Sequence, residues 1–148
     1  GTGMISTEFA AAVNAYSAFE IAAVMSRSKK SAERFIAAAS LRKAASATDI
    51  SELIQHDLDA VYIASPNSLH YDHAVAAIAA GINVIVEKPA FWDPAQFEQV
   101  HAQAEKAGVL VFEAARHVFE PGFAVVKDWA ADQEITGASF QFHQYSSR

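Results

Sequence analysis

The chain has 148 residues, enough for one domain with a hydrophobic core and too few for two full ones. Hydrophobic residues are 52% and charged residues 19%, which excludes a disordered chain, and no apolar run approaches the roughly 20 residues that span a bilayer. The net charge is −6 with Lys and Arg scattered, which excludes the basic stripe that nucleic acid requires, and zero cysteines exclude disulfides, Cys-ligated zinc and thiol catalysis.

Taken in order, residues 5–16 place Ile5, Phe9, Val13 and Tyr16 at helical spacing. Residues 19–25 (FEIAAVM) are a short apolar run with little alternation, as in a strand buried on both faces. A second helix is predicted over 28–39, with Ala32, Phe35 and Ile36 inward and Lys29, Lys30, Glu33 and Arg34 outward. Another helix opens near residues 46–49, and residues 60–64 (AVYIA) form a strand. Ser65-Pro66-Asn67-Ser68 is turn chemistry. An Ala-rich helix over 71–80 ends at Gly81, and residues 82–86 (INVIV) form a buried strand. Asp93-Pro94 opens a helix that Gly108 closes, followed by a strand over 109–112 and a helix over 119–131. Trp92 and Trp129 are expected to serve in packing. Residues 137–145 alternate, Ala138, Phe140 and Phe142 against Ser139, Gln141 and His143, as in a half-exposed antiparallel strand.

Strand and helix alternate with short connections, which predicts an α/β fold: a doubly wound parallel sheet with helices on both faces. The switch to an alternating strand places a boundary near Glu134, with a nucleotide-binding domain over 1–133 and the first strand of a second domain over 134–148. Right-handed crossovers bring every strand's carboxyl end to one edge, where ligands bind in such sheets. The turns at Ser26-Arg27, 65–67, 87–89 and 113–116 all follow strands and share that edge.

Gly1-Thr2-Gly3-Met4-Ile5-Ser6 matches the G-x-G-x-x-G/A phosphate-binding turn, with serine at the third small position. Such a turn needs a bare backbone and a helix amino end aimed at a pyrophosphate. It also needs a strand before it, so a short amino-terminal segment is expected to precede Gly1 or to be supplied by a neighbour. NAD-selective versions end the second strand on Asp or Glu, which binds the ribose hydroxyls. Here that place holds Ser26-Arg27-Ser28 with Lys29 and Lys30 behind, so NADP is favoured over NAD. The other reading leaves Arg27 stacked on adenine and the lysines as a solvated face.

Several stretches carry a resemblance: GTGMIS at the start, SRS at 26–28, ASPNSLHYDHA at 64–74, AGINVIVEKPA at 80–90 and EAARHVFEP at 113–121. In this order, and above all in the combined P-N-x-x-H and E-K-P pattern, the chain resembles the glucose–fructose oxidoreductase / inositol dehydrogenase / MocA (Gfo/Idh/MocA) family. The resemblance implies a Rossmann domain followed by an α/β domain with a large open sheet. It implies hydride transfer between NAD(P) and a sugar, polyol or similar alcohol. It puts Lys88 beside the nicotinamide as the catalytic residue, hydrogen-bonding the substrate oxygen. Ser65, Pro66 and Asn67 then line the cofactor, with His70 at the start of the next helix, Glu87 toward the nicotinamide ribose and Arg116 near the nicotinamide or substrate. Gly1, Thr2, Gly3, Met4, Ile5, Ser26 and Arg27 complete the cofactor set.

Blander readings stand beside these. Asn67 or Ser68 could cap a helix, Lys88 could be a surface lysine, and Arg116 could pair with Glu113 or Glu120. The family's second-domain Asp and His have no match here. A cofactor-binding regulator without catalysis is the alternative function. His70 and His73 have i, i+3 spacing without a further matched ligand, so no metal is expected. The expected partners are a sugar-like small molecule and copies of the same chain joined through the C-terminal domain. Neither nucleic acid nor membrane is expected. The lack of cysteine and of a leader pattern fits a cytoplasmic protein.

Overall fold

The structure is a computed structural model that describes residues 1–16 and 18–141. Two compact units emerge, Gly1–Ala114 and Ala115–Arg148. In the first, α1 (Met4–Ala15) leads to β1 (Ala23–Met25), α2 (Lys29–Ala38), β2 (Ala45–Ala47) and α3 (Ile50–Leu53). Then come β3 (Ala60–Ile63), α4 (His70–Ala79), β4 (Asn83–Val86), α5 (Pro94–Ala107) and β5 (Val111–Glu113). The second unit holds a 3-10 turn (Arg116–Phe119) and α6 (Pro121–Ala131).

Every strand pair is parallel. β1 pairs with β2, Val24 opposite Ser46, and β4 lies between β3 and β5, with Val84 opposite both Val61 and Val111. The face of the central strand that packs under α4 is closed to water, so its side chains there are apolar. Val84 and Val86 are accordingly 0% exposed. Each such valine contributes about 1.5–3 kcal/mol by leaving water. Ala74 and Ala77, one turn apart on α4, are fully buried, and their small side chains let the helix lie close to β3 and β4. Val100 and Ala104, spaced i, i+4, likewise form the buried face of α5. A second cluster, Val24, Ala32 and Leu41 with Phe35 and Ile36, joins α2 to β1.

No strand among the described residues pairs with the facing edges of β1 and β3. A cavity of about 780 Å³ lies between them, lined among others by Val24, Met25, Val61, Tyr62, Phe9 and Val13. The doubly wound strand order puts the strand that precedes a glycine turn at this position.

Helix ends follow their local chemistry. Asp93 caps α5 by accepting from the Ala95 N–H at 2.8 Å, Pro94 takes the first position, and Gly108 closes the helix at φ +70°, where a side chain is strained. Four expectations are corrected. The helix opening at 46–49 is preceded by strand β2, and the helix proper starts at Ile50 behind the Asp49 cap. The strand over 19–25 shortens to Ala23–Met25, because the ladder with β2 starts only at Ala23; Glu20 lies before it in an exposed ion pair with Lys43 at 3.2 Å. Trp92 and Trp129 do not pack inside: they are 69% and 62% exposed. Phe91 takes the packing position instead, edge-on to Tyr71 and Phe97. Of the strand expected over 137–145, residues 137–141 carry no strand and residues 142–145 lie outside the described residues.

Candidate functional site

The glycine turn occupies the carboxyl edge of the sheet and touches both blocks of it. Thr2 Oγ1 is 3.5 Å from Ser26 Oγ at the end of β1. On the other side, a methyl group on Gly1 would overlap the Ala64 carbonyl oxygen just beyond β3, so this position requires glycine. Gly3 then caps α1 with φ −85° and, lacking a side chain, makes no cap bond to the helix's first turn. The leading N–H groups of α1, at Met4 and Ile5, are therefore left for an external acceptor, as an anion site at a helix amino end requires. A methyl at Gly3 meets nothing within 4 Å, so the free space beside the backbone lies on this side.

Next to the turn, Ser28 caps α2 by accepting from the Ser31 N–H at 3.3 Å. Its hydroxyl is thus engaged with the helix. Arg27 is exposed and makes no hydrogen bond or ion pair with any described residue.

Beyond β3 the chain passes through Ser65 and Pro66 into a 3-10 turn, Asn67–Leu69, and then α4. Neither Asn67 nor Ser68 caps the helix: the position before α4 is Leu69, and no side-chain cap bond forms. Ser65 Oγ is 3.0 Å from His73 Nδ1, one turn into α4. Burial chiefly, with nearby His70 adding to it, pushes His73 below its ordinary value, while Asp72 pulls it back up. His70 is 1% exposed, and its ring nitrogens face the carbonyls of Ser65 (Nε2, 3.0 Å), Pro89 (Nδ1, 3.1 Å) and Ala90 (Nδ1, 3.2 Å).

The turn after β4 is held from three directions. Tyr62 donates its hydroxyl to Glu87 Oε1 at 2.6 Å, and Tyr62 itself stacks on Phe9 of α1 with ring centroids 3.8 Å apart. The Lys88 N–H donates to Glu87 Oε2 at 3.2 Å. The Ala90 N–H donates to Glu113 Oε1 at 3.0 Å, tying in the end of β5. Lys88 itself is exposed, and its ammonium has no partner among the described residues.

Residues 1–5, Ser26, Arg27, Ser65, Pro66, Asn67, Glu87 and Lys88 therefore sit at the strand ends of the first unit, while His70 lies inside the fold beneath two of the turns. Arg116 opens the 3-10 turn of the second unit. Tyr62 lies outside every motif of the sequence, and His73 and Glu113, though inside the resembling stretches, are not assigned to the site by the sequence.

A profile described as oxidoreductase family, NAD-binding Rossmann fold (GFO_IDH_MocA) matches residues 1–115. The chain is 36% identical to scyllo-inositol 2-dehydrogenase (NADP(+)) IolU of Bacillus subtilis, over 100% of this chain and 45% of that protein. It is 33% identical to the uncharacterized oxidoreductase YgjR of Escherichia coli, again over 100% and 45%. Among solved structures, it resembles the 3-ketoreductase KijD10 of Actinomadura kijaniata in complex with NADP and TDP-benzene. The TM-score is 0.82 and the identity 28%, covering 89% of this chain and 40% of that one. The chain thus spans less than half the length of the curated relatives it matches from end to end. Parallel strands with flanking helices, an uncapped helix behind a glycine turn and a matching profile agree: the chain belongs to the Gfo/Idh/MocA oxidoreductase family, whose NAD-binding Rossmann fold spans residues 1–115.

Proposed function

We propose that this chain binds NADP(H) along the carboxyl edge of its sheet and forms the cofactor half of an oxidoreductase acting on a sugar, polyol or similar cyclic alcohol or ketone. One observation carries the reading. The Gly1–Gly3 turn lies against the ends of both β1 and β3, with an uncapped helix behind it and open space at Gly3. That is a cradle for a pyrophosphate.

Met4 and Ile5 offer backbone N–H groups to the phosphates, and Thr2 and Ser26 line their flank. Arg27, exposed and without a partner among the described residues, stands where an acidic residue would select NAD, and suits a 2′-phosphate. The names of two similar proteins, an NADP(+) dehydrogenase and a reductase solved with NADP, support the same choice. Ser65, Pro66 and Asn67 flank the ribose, and Glu87 orients the turn toward its nicotinamide end. The bound nicotinamide supplies or accepts the hydride. Lys88 donates a hydrogen bond from its ammonium to the reacting oxygen, stabilising the charge that develops there. Arg116 toward the substrate, self-association through residues from Glu134 onward and a cytoplasmic setting belong to the same reading.

The test is turnover of the full-length protein over a panel of polyols, sugars and their ketones with NADPH or NADP. Lys88→Ala should lower kcat by about 10²–10⁴-fold, in the range of a positioned proton-handling group. NADPH affinity should stay within about threefold, under ~1 kcal/mol. Unchanged turnover in the variant sinks the role of Lys88.

A further inference from the structure

His70 belongs to the motif by which the sequence points to a cofactor site, yet at 1% exposure its ring is closed off from any ligand. Its bonds run to backbone carbonyls of two different ligand-edge turns. Nε2 faces Ser65 at 3.0 Å, in the turn proposed to flank the ribose. Nδ1 faces Pro89 and Ala90 at 3.1 and 3.2 Å, in the turn that carries Lys88. The ring is anchored by position as well, since His70 opens α4, whose Ala74, Ala77 and Ile78 are buried in the core.

We propose that His70 is a positioning residue that fixes the Lys88 turn against the Ser65 turn, setting the distance between the cofactor's ribose and the reacting group without touching either. This rests on the cofactor reading above. All three oxygens are acceptors, so donated bonds to both turns require an imidazolium; a neutral ring holds one turn by a donated bond and meets the other by buried contact alone. Pro89 brings no N–H of its own to the turn, and the remaining anchor on its far side is the Ala90 N–H bond to Glu113. Loss of the ring therefore loosens the Lys88 turn and the Ser65 turn together. Loss of one nitrogen loosens only one of them.

Asparagine and glutamine separate the two effects, because their amide nitrogens fall near Nδ1 and Nε2 of the ring respectively. The experiment measures NADPH affinity by fluorescence titration, kcat in the full-length protein, Tm, and exchange of the Ala90 amide. His70→Asn should keep kcat and slow Ala90 exchange while weakening NADPH binding about tenfold, equivalent to ~1.4 kcal/mol. His70→Gln should show the reverse: near-native NADPH affinity, kcat down about tenfold and faster Ala90 exchange. His70→Ala should show both losses. Equal losses in the Asn and Gln variants that track their Tm, or no loss in either, overturn the proposal while wild-type NADPH binding keeps the cofactor reading intact. A wild type that fails to bind NADPH overturns the cofactor reading and the proposed role with it.

Discussion

Gly3→Ala separates folding from binding at one methyl group. Gly3 has φ −85° and ψ −174°, backbone that alanine adopts freely, and the added Cβ meets nothing within 4 Å. Alanine is a poorer helix cap than glycine by some tenths of a kcal/mol, and it narrows the unfolded chain's freedom by about 0.4–1 kcal/mol in the opposite direction. The two nearly cancel, so Tm should stay within about 3 °C of wild type, the shift expected for roughly half a kcal/mol in a domain of this size. Binding differs, because the methyl stands where a pyrophosphate approaches the leading N–H groups of α1. Losing one or two hydrogen bonds to a charged oxygen costs about 1.5–3 kcal/mol, or roughly 10–150-fold in Kd. Thermal melts and NADPH fluorescence titration of the same preparations measure both. An NADPH affinity equal to wild type would refute the assignment of this turn. So would a loss explained by a collapsed Tm.

Three further outcomes follow from the geometry. Arg27→Ala should weaken NADPH by about 10–100-fold and leave NADH nearly unchanged, as expected of a charge-assisted contact to the 2′-phosphate; equal weakening of both, measured by calorimetry, favours the adenine-stacking reading. Tyr62→Phe removes the donor to Glu87 Oε1, and denaturant unfolding should show a loss of about 1.5–3 kcal/mol. His73 is pushed below its ordinary value of 6.5, first by burial, so the unfolded chain takes up its proton at higher pH than the folded chain does. The stability linked to this group is complete above about pH 6.5 and is lost as pH falls through the lowered folded value, so the Tm drop on acidification should be smaller in His73→Asn.

Elements whose own side chains carry the signal were legible in the sequence. β3 and β4 declare themselves through AVYI and NVIV, and α5 through Asp93, Pro94 and Gly108. β2 does not: Ala45-Ser46-Ala47 has no β-branched or aromatic residue, and pairing with β1 alone makes it a strand. Trp92 was misjudged because size alone does not decide burial; Phe91 beside it fills the place between Tyr71 and Phe97. At the site, the turns at 26–27, 65–67 and 87–89 could be read because each follows a strand, and the glycine turn from its spacing alone. The bonds of His70, Tyr62 and Glu113 could not, because they join residues 5–25 positions apart and depend on the register of the folded sheet.

A nicotinamide dinucleotide is proposed to lie along the carboxyl edge of the first unit. Backbone amide chemical shifts followed during NADPH titration test it directly. Saturable shifts should concentrate at residues 2–6, 26–29, 64–68 and 87–90. Shifts absent at these turns, or concentrated at the opposite strand ends, would contradict it.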